Sequence, residues 1–132
     1  MGDINIFVKA IIRGNIREVE RMIENGIDVN TKDDFGDLPL IVACQQSYEM
    51  FELLLNKEAQ TDILDGKGKF PLMYAIELDK INLLLKKDAD PNFKDKDGNT
   101  ALHHLVKMAD KHGRLDVSSL KKNISKNRGI NI

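Results

Sequence analysis

A chain of 132 residues suits one domain, and at that size roughly two thirds of the unfolded chain's surface can be buried. With 42% hydrophobic, 31% charged and 5% aromatic residues and no tryptophan, burial has to come mainly from leucine, isoleucine, valine and methionine, which reads as a helical protein. No apolar run approaches the roughly 20 residues that span a bilayer, no signal-peptide pattern opens the chain, and a lone Cys44 excludes an internal disulfide, so the expectation is a cytoplasmic protein without a membrane role.

The net charge of −1 hides an asymmetry: from Lys107 onward there are seven basic and two acidic residues, net +5, which leaves −6 before that point. A basic end can meet nucleic acid or an acidic protein surface, but the plainer reading is the solvated face of a terminal helix. Met1-Gly2 opens like a myristoylation signal, yet Ile6 stands where that signal carries serine or threonine.

Ile4, Phe7, Val8, Ile11 and Ile12 fall at i, i+3, i+4, i+7 and i+8, which predicts a helix with one buried stripe and Asp3 as its N-cap. Gly14 breaks that helix. Asn15 then caps a second one, with Glu18 three residues on in a capping-box arrangement, an apolar face of Ile16, Val19 and Ile23, and Gly26 at the left-handed position that closes it. The result is a helix, a short turn and an antiparallel helix, with Arg13, Arg17 and Arg21 on an outward polar face.

The pattern restarts at Lys32 with KDDFGDLPLIVAC. Gly36 supplies a turn, Pro39 sits at a first helical position where its missing N–H does no harm, and Leu40, Ala43 and Cys44 begin a buried face. After a turn near Ser47, a second helix carries Met50, Phe51, Leu53, Leu54 and Leu55. A further restart reads DGKGKFPLMYAI, where Gly68, Pro71, Leu72 and Ala75 repeat Gly36, Pro39, Leu40 and Ala43 at a constant offset of 32, and Ile81, Leu83, Leu84 and Leu85 form its second helix. This unit is compressed: Ala75 precedes Leu83 by eight residues where Ala43 precedes Leu53 by ten, so its helices or their turn must be shorter. A last restart, DKDGNTALH over Asp95 to His103, predicts a helix capped by Thr100 and running through Leu102, Leu105, Val106 and Ala109 to Gly113, with Val117, Leu120 and Ile124 marking a second.

DKDGNTALH resembles the opening of an ankyrin repeat, whose signature is TPLH inside a unit of roughly 33 residues. Ala101 replaces the usual proline. Gly26-Ile27-Asp28-Val29-Asn30, Ala59 after Glu58, and Ala89, Asp90 and Asn92 are similar to the GADVN closing of that family, and Gly129-Ile130-Asn131-Ile132 returns to it. The resemblance implies an all-α ankyrin-repeat solenoid of about four stacked helix-turn-helix units with short hairpin loops, one domain over 1–132, divided near 1–31 (an N-terminal capping unit), 32–63, 64–93 and 94–132. An ordinary helical bundle would share the periodicity but not the GxxPL strings at one offset.

For the family, the threonine and histidine of the signature share a hydrogen bond, which here only Thr100 and His103 retain. Leu38 with Ile41, and Phe70 with Met73, must replace it by burial. The resemblance further implies a non-catalytic scaffold, a monomer with no cofactor, metal or small-molecule substrate, that binds a protein partner as inhibitor or adaptor through hairpin tips and the exposed side of the first helices. Carried over residue by residue, those positions are Asp34, Phe35, Asp37, Gln45 and Gln46, then Lys67, Lys69 and Glu77, then Lys96, Asp97, Asn99, Lys107 and Met108. The alternative is binding of nucleic acid or an acidic surface through Lys121, Lys122 and Lys126 of the basic C-terminal helix.

Other chemistry finds no support in spacing. His103, His104, His112 and Cys44 match no zinc pattern, and adjacent histidines point about 100° apart on a helix. Gly66-Lys67-Gly68-Lys69 lacks the phosphate-loop spacing and reads as a hairpin tip. Asp95, Asp97 and Gly98 would need carboxylates at Phe93 and His104 to form a calcium loop.

Overall fold

A computed structural model describes residues 2–112, without the side chains of residues 105 and 108–112. Among the described residues, six α-helices and one 3-10 turn follow one another: α1 (Gly2–Ile12), α2 (Ile16–Glu24), α3 (Pro39–Cys44), α4 (Tyr48–Asn56), the 3-10 turn Pro71–Met73, α5 (Leu78–Lys86) and α6 (Ala101–His112). The expected Val117, Leu120 and Ile124 helix, the basic residues Lys121, Lys122 and Lys126, and the closing Gly129–Ile132 lie outside the described residues.

Helix α1 buries Ile4, Phe7, Val8 and Ile11 as its periodicity predicts, together with Ala10. Ile12 does not join them and is 55% exposed. It sits at the edge of the stripe, 100° around from Ile11, and the helix ends there, so no later turn covers it. Asp3 lies inside the first turn rather than ahead of it, where its charge favours the helix N-terminus electrostatically. Asn15 does cap α2, its Oδ1 accepting the Glu18 N–H at 3.2 Å. The box is half made, because the Glu18 carboxylate turns instead to Arg21 in the next turn.

The second helix of each of the first three units ends the same way. The N–H of Gly26, Glu58 and Asp88 reaches back to Ile23, Leu55 and Leu85, and the following N–H of Ile27, Ala59 and Ala89 reaches Met22, Leu54 and Leu84. These paired bonds are Schellman closures, which need one residue in the left-handed region. Gly26 adopts φ 98° there without strain, while Glu58 (φ 68°) and Asp88 (φ 71°) do so against their Cβ atoms.

The helices stack in two rows. α1, α3, the 3-10 turn and α6 pack one on the next, while α2 and α4 back onto α1 and α3, and α5 continues from α4. Phe7, Ile11, Val19, Met50, Phe51, Leu54, Phe70, Ile81 and Leu84 run between the rows as one fully buried core, and Phe93 meets Phe70 edge-on at 5.2 Å. Leu38, Ile41, Phe70 and Met73 are all buried, so apolar packing does replace the threonine–histidine tie in the middle units.

The compression falls entirely on the first helix of the third unit. Pro71–Met73 makes a single 3-10 turn, and Ala75 to Glu77 run irregularly into α5. The last carbonyls of α3 have no donor within their own helix. Lys80 fills the gap: it is 4% exposed, and its Nζ donates to the Cys44 carbonyl at 2.7 Å, the Gln46 carbonyl at 3.0 Å and Glu77 Oε1 at 2.8 Å.

Candidate recognition surface

Between the helices the chain makes one turn three times. In each, an aspartate (Asp33, Asp65 or Asp95) donates its N–H to the carbonyl four residues on (Asp37, Lys69 or Asn99) and accepts the N–H of the intervening glycine (Gly36, Gly68 or Gly98). Its Oδ1 also takes two N–H groups of the loop: Phe35 and Asp37, Lys67 and Lys69, or Asp97 and Asn99. The glycines stand at φ 83°, 74° and 80°, as the bulged end of a type I turn requires. Aspartate is therefore the organising residue of each tip, because one carboxylate oxygen satisfies donors that the tight loop cannot pair with backbone.

The tips are also tied to each other. Gly66 N–H donates to the Gly36 carbonyl at 2.8 Å, and Lys96 N–H to the Gly68 carbonyl at 3.0 Å. The equivalent donor in the first tip, Asp34 N–H, has no tip before it and bonds to the side-chain Oδ1 of Asn5 on α1 at 3.0 Å, while Asn5 Nδ2 returns a bond to Asp34 Oδ2 at 2.8 Å. Asn5 stands in for a preceding carbonyl. Backbones meet so closely at the first step that a Cβ on Gly66 would lie 2.9 Å from Gly36 Cα, so glycine is required there for space. A second ladder ties the closing loops, Gln60 N–H to Asn30 Oδ1 at 2.8 Å and Asp90 N–H to Asp62 Oδ1 at 3.0 Å.

On this frame the expected recognition residues separate into groups. Phe35 is 86% exposed at the apex of the first tip, between exposed Asp34 and half-buried Asp37. Lys67 is exposed and Lys69 half-buried on the second tip, and Lys96 and Asp97 are exposed beside half-buried Asn99 on the third. Lys107 is exposed on α6, whereas the Met108 side chain lies outside the described residues. Gln45 and Gln46 stand at the other end of α3, just past its last turn, and the Gln46 carbonyl is taken by Lys80. Glu77 lies in the turn that leads into α5, its carboxylate on Lys80, and so is not part of the tip array.

Titratable groups near the row formed by α1, α3, the 3-10 turn and α6, the inner wall of the stack, carry environmental shifts. Burial first, then the neighbouring Asp33 carboxylate, pushes the Asp37 carboxyl up, and Lys67 on the next tip partly offsets this. The Tyr74 hydroxyl donates to Asp65 Oδ2 at 2.5 Å, and burial followed by that carboxylate drives the phenol up. Nine residues after Asp95, in the place Tyr74 holds after Asp65, His104 is held down by burial and by Lys69 and Lys107, with Asp95 acting the other way. Burial pushes the Cys44 thiol up to about 11, which keeps it protonated and a poor nucleophile at neutral pH. His103 Nδ1 accepts the Thr100 N–H at 3.1 Å and lies 3.2 Å from its Oγ1, a local cap at the start of α6.

The sequence pattern gave no notice of Lys80, which reads as an ordinary exposed lysine, or of Asn5. The turn aspartates were detectable, since Asp33, Asp65 and Asp95 keep the same distance from Gly36, Gly68 and Gly98.

Stacked helix pairs, a hydrogen-bonded row of tips and a shared core define a tandem-repeat solenoid, a class that displays side chains from a rigid frame. Residues 6–95 match the family described as ankyrin repeats in three copies, and the chain belongs to the ankyrin-repeat family, whose members generally mediate protein–protein interaction. An ankyrin repeat protein of Acanthamoeba polyphaga mimivirus is 31% identical over 109 residues, which is 79% of this chain and 14% of that protein. Another from Variola virus is 31% identical over 91 residues (64% of this chain, 16% of the other), and human ankyrin repeat domain-containing protein 40 is 35% identical over 66 residues (48% and 18%). The chain thus spans less than a fifth of the length of these relatives. Among the described residues, no helix is long and apolar enough to cross a membrane.

Proposed function

We propose that this chain is a non-catalytic binding module that holds a partner protein on its hairpin tips and the adjoining inner wall, masking it as an inhibitor or linking it as an adaptor. The domain is read as one stack with unit boundaries near residues 31, 63 and 93, acting as a monomer, and the sealed Cys44 suits a reducing compartment such as the cytoplasm. The observation that carries the reading is Phe35. A phenyl ring 86% exposed on a loop pinned by Asp33 and Asn5 contributes nothing visible to the core, and pre-positioned aromatic groups are the usual anchors of interfaces. The supporting array is Asp34, Asp37, Lys67, Lys69, Lys96, Asp97, Asn99 and Lys107.

The test is affinity capture from lysate with the parent chain and with the Phe35→Ala/Lys67→Glu double variant, quantified by mass spectrometry after the two melt at the same temperature. A partner held by the tips is depleted by at least tenfold in the variant. Equal capture by both proteins would refute the tip surface.

A further inference from the structure

The three tips differ in sign in a way that the frame itself does not demand. The first carries Asp34 and Asp37 on either side of Phe35, behind which Asp33 adds a third carboxylate. The second carries Lys67 and Lys69, and the third, which also bears the exposed Asp97, brings Lys96 toward them: a Cβ placed on Gly68 would fall 2.4–2.8 Å from the Cβ, Cγ and Cδ of Lys96, so that lysine stem lies across the second tip. Lys69 and Lys107 also face His104 at the start of the inner wall, extending the positive ground toward α6. The ion pairs found among the described residues, Arg21 with Glu18 and Lys80 with Glu77, involve none of these groups. Apart from the longer-range pull of Lys67 on Asp37, ligand carboxylates and cations therefore find counter-charges not engaged in ion pairs, in fixed order along the ladder.

We infer that the surface receives a protein segment whose charge reverses along its length, a basic residue with an apolar neighbour seating on Asp34, Phe35 and Asp37 and an acidic stretch running over Lys67, Lys69 and Lys96. The inference rests on the tip surface proposed above and names the chemistry of its occupant. A polyanion such as single-stranded nucleic acid fits less well, because a uniform negative strand following the tips runs onto the carboxylates of the first. A protein segment changes sign from residue to residue, and complementary charge at both ends fixes the direction in which it lies. The apolar seat and the two charged seats together exclude a segment bound in reverse.

The experiment is selection of random twelve-residue peptides displayed on phage against the intact chain, against Lys67→Glu/Lys69→Glu/Lys96→Glu, and against Asp34→Asn/Asp37→Asn, each variant first shown to unfold as cooperatively as the parent. The expected result is a parent-selected set with lysine or arginine beside an apolar residue at one end and aspartate or glutamate at the other. Synthetic members of that set should weaken on the order of tenfold against the lysine variant and bind less tightly as salt rises. The lysine variant should itself select peptides that keep the basic and apolar end and lose the acidic one. Peptides enriched without charge reversal, or insensitive to the lysine variant, overturn the inference while leaving the tip surface intact. Binding of a fluorescein-labelled oligothymidylate, lost in the lysine variant and unaccompanied by peptide enrichment, also overturns it in favour of a polyanion site. Enriched peptides that bind both Phe35→Ala and the lysine variant as tightly as the parent lie elsewhere on the molecule, and they refute the tip surface itself.

Discussion

Replacing Lys80 with methionine keeps most of the buried stem and removes only the ammonium. Three hydrogen bonds go with it: to the Cys44 carbonyl at 2.7 Å, to the Gln46 carbonyl at 3.0 Å and to Glu77 Oε1 at 2.8 Å. The Cys44 carbonyl is left in the interior, where an unpaired acceptor costs about 1–3 kcal/mol, while half-buried Gln46 recovers its bond from water. Release of a buried cation from its desolvation penalty offsets part of the loss. The net expectation for Lys80→Met is a loss of about 1–2 kcal/mol, which for a chain of this size lowers the melting temperature by roughly 4–8 °C. Glu77→Gln isolates the ion pair: the Glu77 side chain is 63% exposed, so the change should cost less than about 0.5 kcal/mol. Urea unfolding of the parent and both variants at pH 7, repeated at high salt, measures each term. A Lys80→Met variant within about 0.5 kcal/mol of the parent would refute the idea that this lysine secures the end of α3. Equal losses in the two variants would assign the effect to the ion pair instead.

Other expectations follow from the closures, the ladder and the buried acids. Glu58→Gly should raise stability by about 1 kcal/mol in urea unfolding by removing left-handed strain at φ 68°, and Gly26→Ala should lower it by a similar amount. Asn5→Ala should cost about 1 kcal/mol and speed hydrogen exchange at the Asp34 amide specifically, so unchanged protection there would rule out the stand-in role. Because burial raises the Cys44 thiol from 9.0 to about 11, the folded state holds the proton that the unfolded chain gives up. Its stabilising share is complete below pH 9 and disappears as pH rises to about 11, on the order of 2–3 kcal/mol in chemical unfolding across that range. Tyr74, also pushed up, adds a loss in the same direction that begins near pH 10. Cys44→Ala should flatten the first part of the alkaline decline and Tyr74→Phe the second.

The framework was legible because stacking imposes a period. Apolar spacing located the helices, and the recurrence of Gly36, Pro39, Leu40 and Ala43 at an offset of 32 marked the units before any contact was known. Even the shortened third unit could be read from residue counts, though not that its first helix would shrink to Pro71–Met73 while α5 kept nine residues. What stayed hidden depended on neighbours distant in sequence. Lys80 and the carbonyl of Cys44 are 36 residues apart, and Asn5 and Asp34 are 29 apart. No local pattern distinguishes a lysine that reaches inward from one that faces water. Ile12 failed for the opposite reason: periodicity predicts which face a residue shares, not whether another element extends far enough to cover it. Of the expected recognition residues, Asp34, Phe35, Asp37, Lys67, Lys69, Lys96, Asp97 and Asn99 lie on the tips, while Glu77, expected on the exposed side of a first helix, lies in the segment leading into α5 because the unit is compressed there.

Successive tip glycines are separated by 32 residues and then by 30, yet the same donor position meets the same acceptor at both steps, at 2.8 and 3.0 Å. The spacing of the display is therefore set by pins between neighbouring loops, and the amount of chain in between acts as slack. Residues can be lost from the helical part of a unit without throwing the tips out of line, provided something fills the hole left behind. Such a scaffold can change its girth while keeping its ruler.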